Sequence, residues 1–174
     1  MNLDGYALPI KKLKGTIELL DLSGKKLGVA SAIVIASLIS VNGSLTVTNL
    51  LHNQLDAEST KMLAEVAKQK GISLCGIQRD QTTADFSKKN LKPPDAILLA
   101  SDLSQAGVTG GLTTLDLSFN SLKNEGVSAV CEAIQSNKET KLASLNFKNN
   151  HIGPVGANAV AAMVAATGSL TEME

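Results

Sequence analysis

LTTLDLSFNSL, residues 112–122, carries four leucines and, among them, a single asparagine, Asn120. Strict alternation of apolar residues is typical of a strand, and a recurrence at every third or fourth residue is typical of a helix. This stretch follows neither period for its whole length. Leu115 and Leu117 alternate as they would on a short strand, and the outer two leucines stand where the chain enters and leaves it. Asn120 then falls at a turn, where its amide can donate to and accept from unpaired backbone groups.

The same spacing recurs along the chain, so internal repetition is the main feature of the sequence. The other copies are LASLNFKNNHI (142–152), LTVTNLLHNQL (45–55), IELLDLSGKKL (17–27) and TADFSKKNL (83–91), and LTEME (170–174) begins one more. Asn150 and Asn53 stand where Asn120 stands, and Lys25 and Lys89 take that position in the two remaining copies. The three asparagines, Asn53, Asn120 and Asn150, are therefore predicted to be structural, because stacked amides can satisfy adjacent turns.

The segments between the copies are predicted to be helices. Each segment carries a pair of aliphatic residues four positions apart, which fall on one face of a helix. These pairs are Ile35 and Ile39, Leu63 and Ala67, Leu99 and Leu103, Val130 and Ile134, and Val160 and Val164. Ser59 and Asp95 suit helix N-termini, and Pro94 suits a first turn. Each unit is thus predicted to be a short strand, a turn and a helix that returns the chain to the next strand.

The sequence resembles a leucine-rich repeat protein, and its long units are similar to the ribonuclease-inhibitor class of that family. The resemblance implies an α/β fold, a curved solenoid with parallel strands on the concave face and helices on the convex face. We expect a single domain over residues 1–174, with an N-terminal cap at 1–16, an irregular unit at about 72–111 and an incomplete last repeat at 168–174. The family is used for binding and shares no active site, which implies a protein without catalytic residues or cofactor.

One unit departs from the pattern, in ISLCGIQRDQTTADFS (72–87). Cys75 and Ala84 both occupy expected strand positions, but they are too close for a helix to lie between them. Either SLCGI closes one repeat against TADFS as a hairpin-like excursion, or one of the two is not a strand. The glycines that follow predict a bulged loop around 105–111. The irregularity is either an accident of the fold or a functional insert, and it contains Arg79, the only arginine.

Residues that alternate with the core leucines would face away from the core and form the candidate binding site. Just after the central residue of each predicted strand, most copies carry an acidic residue or an asparagine. Apolar residues flank this column in the N-terminal half, and Leu74 belongs to the same flank. The predicted partner-binding residues are Asp21, Asn49, Asp85, Asp116 and Asn146 in the column, Leu19, Val47 and Leu51 on its flank, and Arg79.

The column predicts a docking strip for a protein partner with a basic surface. The alternative is that aspartate and asparagine follow the repeat consensus and serve solubility. No large aromatic anchor of the kind that dominates protein interfaces stands in the strip. His52 and His151 are expected to be surface turn residues, and Asn137, in the loop after a helix, is expected to be exposed.

Composition excludes several other classes of protein. Sixteen basic residues balance sixteen acidic ones, so no overall field attracts nucleic acid or an anionic membrane. The longest aliphatic stretch (29–41) is too short to insert across a bilayer, and the N-terminus has no apolar run of a secretory signal. Cys75 and Cys131 form neither a disulfide framework nor a metal-site spacing. We expect the cytoplasm or another reducing intracellular compartment.

Three functional classes stay open. The first is a binding or scaffold module that uses its concave face. The second is an assembly subunit that joins neighbours through the edges or convex helices, including the last strand around Leu170–Met173, whose edge would be unpaired unless Glu172 and Glu174 blunt it by charge. The third is a regulator such as a GTPase-activating protein, which would need a basic or amide cluster on one rim.

Overall fold

The computed structural model describes residues 2–174, in which short strands alternate with helices. The strands are β1 (Asn2–Leu3), β2 (Tyr6–Ala7), β3 (Leu19–Asp21), β4 (Val47–Asn49), β5 (Thr83–Asp85), β6 (Thr114–Asp116), β7 (Ser144–Asn146) and β8 (Glu172–Met173). The helices are α1 (Ile10–Leu13), α2 (Val29–Val41), α3 (Ala57–Lys70), α4 (Pro93–Leu103), α5 (Ala106–Thr109), α6 (Lys123–Ser136) and α7 (Pro154–Ala166). The predicted alternation of parallel strands and helices is confirmed from β3 onward.

The strands form three separate sheets. β1 and β2 make an antiparallel hairpin, β3 pairs in parallel with β4, and β5, β6, β7 and β8 form a parallel sheet in chain order. The register aligns Leu20 with Thr48 in the smaller parallel sheet. In the larger one it aligns Ala84 with Leu115, and Leu145 with both Leu115 and Met173. Equivalent residues of successive units therefore lie side by side.

The helices form a second layer in which each long helix packs on the next: α2 on α3, α3 on α4, α4 on α6 and α6 on α7. Between the layers lies an aliphatic core that includes Leu22, Leu117 and Leu122, all without exposed surface. Gly126 lets α6 approach α4 closely, because a Cβ atom there would lie 2.8 Å from the Ala96 Cβ. Val164, which shares a helix face with Val160, is 44% exposed, because no described helix packs on the far side of α7.

Two helix starts differ in detail from the prediction. α3 begins after Asp56, whose carboxylate accepts a hydrogen bond from the Ser59 N–H at 2.8 Å, so Ser59 lies inside the helix. Asp95 also lies inside its helix, α4. Its carboxylate accepts from the Lys92 N–H at 2.9 Å and from the His52 N–H at 2.7 Å. Asp95 thus ties the start of α4 to the turn after β4.

The N-terminal segment packs on the first unit. Leu8 and Leu13 are buried, and the Asp4 carboxylate accepts from the N–H groups of Gly28 and Ser31, both at 2.9 Å. The residue that precedes α2 is Gly28, which has no side chain to cap the helix. Asp4 therefore supplies the cap from outside the helix.

In the irregular unit, SLCGI is not a strand. Ser73 and Cys75 make only isolated bridges to β4, while β5 pairs with β6 alone. Of the two alternatives left open by the sequence, the second is therefore the one observed, and the parallel sheet is interrupted between β4 and β5. The bulged loop expected at 105–111 contains the short helix α5.

A buried carboxylate holds this interruption together. Asp102, on α4, accepts from the Ser73 hydroxyl at 2.6 Å, from the Leu74 N–H at 2.7 Å and from the Cys75 N–H at 3.1 Å. Asp102 has no exposed surface, and its burial outweighs these hydrogen bonds and raises its pKa to about 7. Gly76 follows with a φ of 84°, a left-handed conformation that glycine adopts without a steric penalty.

Candidate functional site

The strand face is the side of the parallel strands that points away from the core. Along it runs a column of five residues, one at the end of each strand from β3 to β7. The column residues are Asp21, Asn49, Asp85, Asp116 and Asn146. The register places Asp21 beside Asn49, and Asp116 between Asp85 and Asn146. The structure therefore brings the predicted column together as two groups, separated by the interruption of the sheet.

Each column residue closes the turn that follows its strand. The side-chain oxygen accepts a hydrogen bond from the backbone N–H two residues later, an arrangement that aspartate and asparagine favour. The donors are Ser23 at 2.9 Å, Leu51 at 3.1 Å, Ser87 at 2.8 Å, Ser118 at 2.7 Å and Lys148 at 2.9 Å. Aspartate and asparagine in the column thus have a structural role, since they close the turns. This role adds to the alternative that they follow the repeat consensus and serve solubility.

The turn uses only one oxygen of each aspartate. Among residues 2–174, no backbone N–H donates to the second carboxylate oxygen of Asp21, Asp85 or Asp116. Hydrogen bonds from Ser23 lower the pKa of Asp21, and those from Ser87 lower the pKa of Asp85. Both carboxylates are charged at neutral pH, so the column presents free anionic oxygens to a ligand.

The predicted apolar flank is largely wrong. Val47 and Leu51 are only 5% and 4% exposed, and Leu74 is fully buried. The segment that replaces a strand after Leu74 covers this part of the strand face, and Gly76 lies against the side chain of Asn49. Leu19, at 53% exposure, is the member of the flank that does reach solvent.

Arg79 is exposed, but its side chain is tied elsewhere. Its guanidinium donates to the Gly71 carbonyl at 3.2 Å, at the end of α3. A cation at this place is favourable, because the last carbonyls of a helix carry partial negative charge. The structure therefore links Arg79 to the end of a helix rather than to the column.

The three turn asparagines bridge neighbouring units. Asn120 donates to the carbonyls of Phe86 and Leu117, both at 2.9 Å, and accepts from the Leu91 N–H at 2.9 Å. Asn150 donates to the Leu117 carbonyl at 2.8 Å. Equivalent bonds join Asn53 to the Leu22 carbonyl at 3.0 Å and to the N–H groups of Lys25 and Leu27.

A second set of bridging asparagines lies at helix ends, where sequence reasoning missed it. The expectation that Asn137 is exposed is wrong, because it is 6% exposed and donates to the Leu103 carbonyl at 2.8 Å. Asn42 makes the same bond to the Leu13 carbonyl at 2.8 Å and accepts from the Leu45 N–H. The sequence does hold a signal, since in both cases an asparagine at the end of a predicted helix precedes the first leucine of the next copy.

An aromatic residue lies beside the column. The position before each turn asparagine, or its lysine substitute, is left-handed in every copy, with φ between 56° and 64°. These positions hold Gly24, His52, Lys88, Phe119 and Asn149. Phe119 is 47% exposed, and the Lys88 ammonium lies 5.3 Å from the centre of its ring. A large apolar residue in a slot otherwise occupied by glycine or polar residues was a signal that sequence reasoning overlooked.

The described part of the chain offers little evidence for metal sites, reactive cysteines or membrane helices. Among residues 2–174, no group of three or more histidine, cysteine, aspartate or glutamate side chains is placed to hold a metal ion. Cys75 and Cys131 are free and buried, and burial raises the pKa of the Cys131 thiol to about 12. None of the helices within this range is long and apolar enough to cross a membrane.

Comparison with protein-family models identifies two segments of the chain. Residues 112–131 and 138–161 match the family described as Leucine Rich repeat. Each segment contains one strand of the larger parallel sheet, the turn with its bridging asparagine, and helix residues that follow. No curated protein matches the chain.

Proposed function

We propose that this chain, which carries two leucine-rich repeats between residues 112 and 161, is an interaction or scaffold module that binds a protein partner through its strand face. Domains of this family generally mediate protein–protein interaction and are typically not enzymes. The observation that carries the proposal is the aligned pair Asp85 and Asp116, each with a carboxylate oxygen that accepts no bond from the turn backbone.

In this proposal the units form one solenoid of the ribonuclease-inhibitor-like class, with the strand face concave. The in-register strands and the packing of each helix on the next support it. The buried free thiols are compatible with the proposed location in a reducing intracellular compartment.

The partner should present a basic surface to the column. Although the chain has no formal net charge, aligned carboxylates create a local negative potential that steers and orients a cationic partner. Asp21 and the exposed Leu19 extend this surface toward the N-terminal end. Arg79 gives the GTPase-activating alternative no support, because its guanidinium is bound to the end of α3.

The test removes the two charges without disturbing the turns. In the double variant Asp85→Asn and Asp116→Asn, each amide oxygen can still accept from the backbone, as Asn49 and Asn146 do in their own units. We expect the captured partner to bind at least about ten-fold more weakly, a loss of about 1.4 kcal/mol, with an unchanged melting temperature.

The matched control is the double variant Glu65→Gln and Glu132→Gln, which removes two exposed charges from α3 and α6. Proteins captured from native lysate by the wild type are identified by mass spectrometry, and their affinities for all three proteins are measured. Equal affinity for the wild type and the column variant would contradict the proposal. An equal loss of affinity in the control variant Glu65→Gln and Glu132→Gln would also contradict it.

Assembly through the last unit is a second candidate. Within residues 2–174, β8 pairs with β7 alone, and Ile152, Val155 and Val164 of this unit are exposed. An uncovered strand edge beside exposed aliphatic side chains is a surface to which another chain can add.

A further inference from the structure

We propose that Phe119 and the lysines on either side of it form an anchoring site for an acidic, apolar segment of the protein partner. This site, called the rim site, consists of Lys88, Phe119 and Lys148. It rests on the proposed function, because the segment belongs to the partner that docks on the strand face. It adds a second contact, of opposite charge, beside the column.

The conformation of Phe119 is the first observation. Its φ of 56° places it in the left-handed region, which is an outlier for a bulky side chain. The fold imposes this conformation on the slot in every copy, and Gly24 and Asn149 satisfy it with residue types that tolerate it. Glycine or asparagine would satisfy this slot with less strain, so a large apolar side chain held exposed there points to a binding role.

The second observation is exposure. Phe119 is 47% exposed, whereas Phe147, the other phenylalanine of the two matched repeats, is buried in the core. The chain has only three phenylalanines, one tyrosine and no tryptophan. An aromatic ring held on a rigid turn offers a large contact area with little loss of conformational entropy, and such rings dominate interface energetics.

The third observation is that a lysine stands in each of the two turns that neighbour Phe119. Lys88 occupies the equivalent position in the preceding unit, and its ammonium lies 5.3 Å from the ring centre. On the other side, the Lys148 carbonyl accepts from the Phe119 N–H at 2.8 Å. The Lys148 ammonium is 3.8 Å from the Glu174 carboxylate, and both side chains are more than half exposed. An exposed pair of this kind is weak, so Lys148 can exchange it for a carboxylate of the partner.

These features fit a peptide in which an apolar side chain is flanked by carboxylates. The apolar group covers the ring, and the carboxylates pair with the two ammonium groups. A polyanion such as a nucleic acid fits less well, because Asp85 and Asp116 precede the rim site within the same turns and repel continuous negative charge. A polypeptide can place cationic side chains on the column and an acidic, apolar segment on the rim.

The test uses the ¹⁵N-labelled full chain and synthetic peptides followed by NMR. The probe is a short peptide with a central leucine flanked by glutamates, and its control carries lysines in place of the glutamates. A heparin oligosaccharide serves as the polyanion. We expect the glutamate peptide to shift the amide signals of Lys88, Phe119 and Lys148.

Phe119→Asn is the decisive variant, because asparagine occupies the equivalent left-handed slot at Asn149. It should keep or raise the melting temperature while weakening the glutamate peptide at least about ten-fold. Phe119→Tyr should bind like the wild type. Unchanged affinity of Phe119→Asn, equal binding of the lysine peptide, or tighter binding of the heparin oligosaccharide would each overturn the rim site.

The column variant separates this proposal from the proposed function. Asp85→Asn with Asp116→Asn should keep or increase the affinity for the glutamate peptide, because it removes nearby negative charge. If that variant keeps full affinity for the captured partner, the proposed function fails, whatever the glutamate peptide does. If Phe119→Asn alone keeps full affinity for the peptide, only the rim site fails.

Discussion

At the scale of single residues, the bridging asparagines are the side chains on which the stacking of units depends. Asn120 is 4% exposed and bonds to backbone groups of its own turn and of the preceding unit. We expect Asn120→Ala to lower the free energy of unfolding by about 1–3 kcal/mol, because buried donors and acceptors lose their partners. Urea denaturation of the two proteins measures this.

Asn158→Ala is the matched control for that change. Asn158 lies exposed on α7, and its side chain makes no hydrogen bond among residues 2–174. Its replacement should leave the unfolding midpoint almost unchanged, since surface substitutions of this kind have small effects. Equal unfolding midpoints for Asn120→Ala and Asn158→Ala would show that the hydrogen bonds of Asn120 contribute nothing measurable to stability.

The predictability of these residues depended on repetition. Asn53, Asn120 and Asn150 were recognisable because each recurs at the same place in a copy of one pattern. Asn137 was not, because its role depends on which neighbouring carbonyl its amide reaches, and only the packing of α6 on α4 brings the Leu103 carbonyl there. Val47 was expected to be exposed but is buried, and local pattern could not show this, because a segment distant in sequence covers it.

At the scale of elements, the regular strands and helices follow from local pattern, whereas the irregular unit does not. No local period marks the turn at 73–77. It is held by Asp102, which lies on the next helix along the chain and reaches back through the core to the backbone of Leu74 and Cys75. Sequence reasoning could place an irregularity at this point but had no means to identify the carboxylate that closes it.

Asp102 makes this element sensitive to pH. Its pKa is raised from 3.8 to about 7 in the folded protein, because burial disfavours the charged form. A carboxyl group whose pKa is raised by folding contributes stability that is fully present below its unfolded pKa and is lost as the pH rises through its folded pKa. Between pH 5 and pH 8 this amounts to about 2–3 kcal/mol.

Asp102→Asn tests that sign. An asparagine oxygen can still accept hydrogen bonds from the turn, but it does not titrate. We therefore expect the free energy of unfolding of the wild type to fall between pH 5 and pH 8, and that of the variant to fall by clearly less. A wild type whose pH dependence matches that of Asp102→Asn would contradict the assignment.

At the scale of the whole molecule, charge is balanced in number but separated in space. The free carboxylate oxygens line the strand face, while Lys88 and Lys148 flank Phe119 at the adjacent turns. Sequence composition shows only that the numbers of acidic and basic residues are equal. The separation depends on the register of the strands, which sets acidic residues beside acidic residues and turn residues beside turn residues.

The last unit carries an exposed apolar surface on α7 and the turn before it. In the four preceding long helices, the position equivalent to Ala157 is fully buried; these residues are Ala32, Thr60, Ala96 and Val127. Ala157 itself is exposed, and the neighbouring Asn158 corresponds to Lys61, which is exposed in α3. A chain that covers this face would therefore bury Ala157 and leave Asn158 exposed.

We expect the wild type to self-associate weakly through this face as its concentration rises, because the edge of β8 and the exposed aliphatic side chains can pair with a second copy. Glu172 and Glu174 of two copies would repel each other, so added salt should strengthen the association by screening them. Ala157→Lys should abolish it, because a charge would be buried, whereas Asn158→Lys should leave it intact. Sedimentation equilibrium at low and high salt measures all three proteins, and a wild type that stays monomeric throughout the concentration series at both salt levels would rule this contact out.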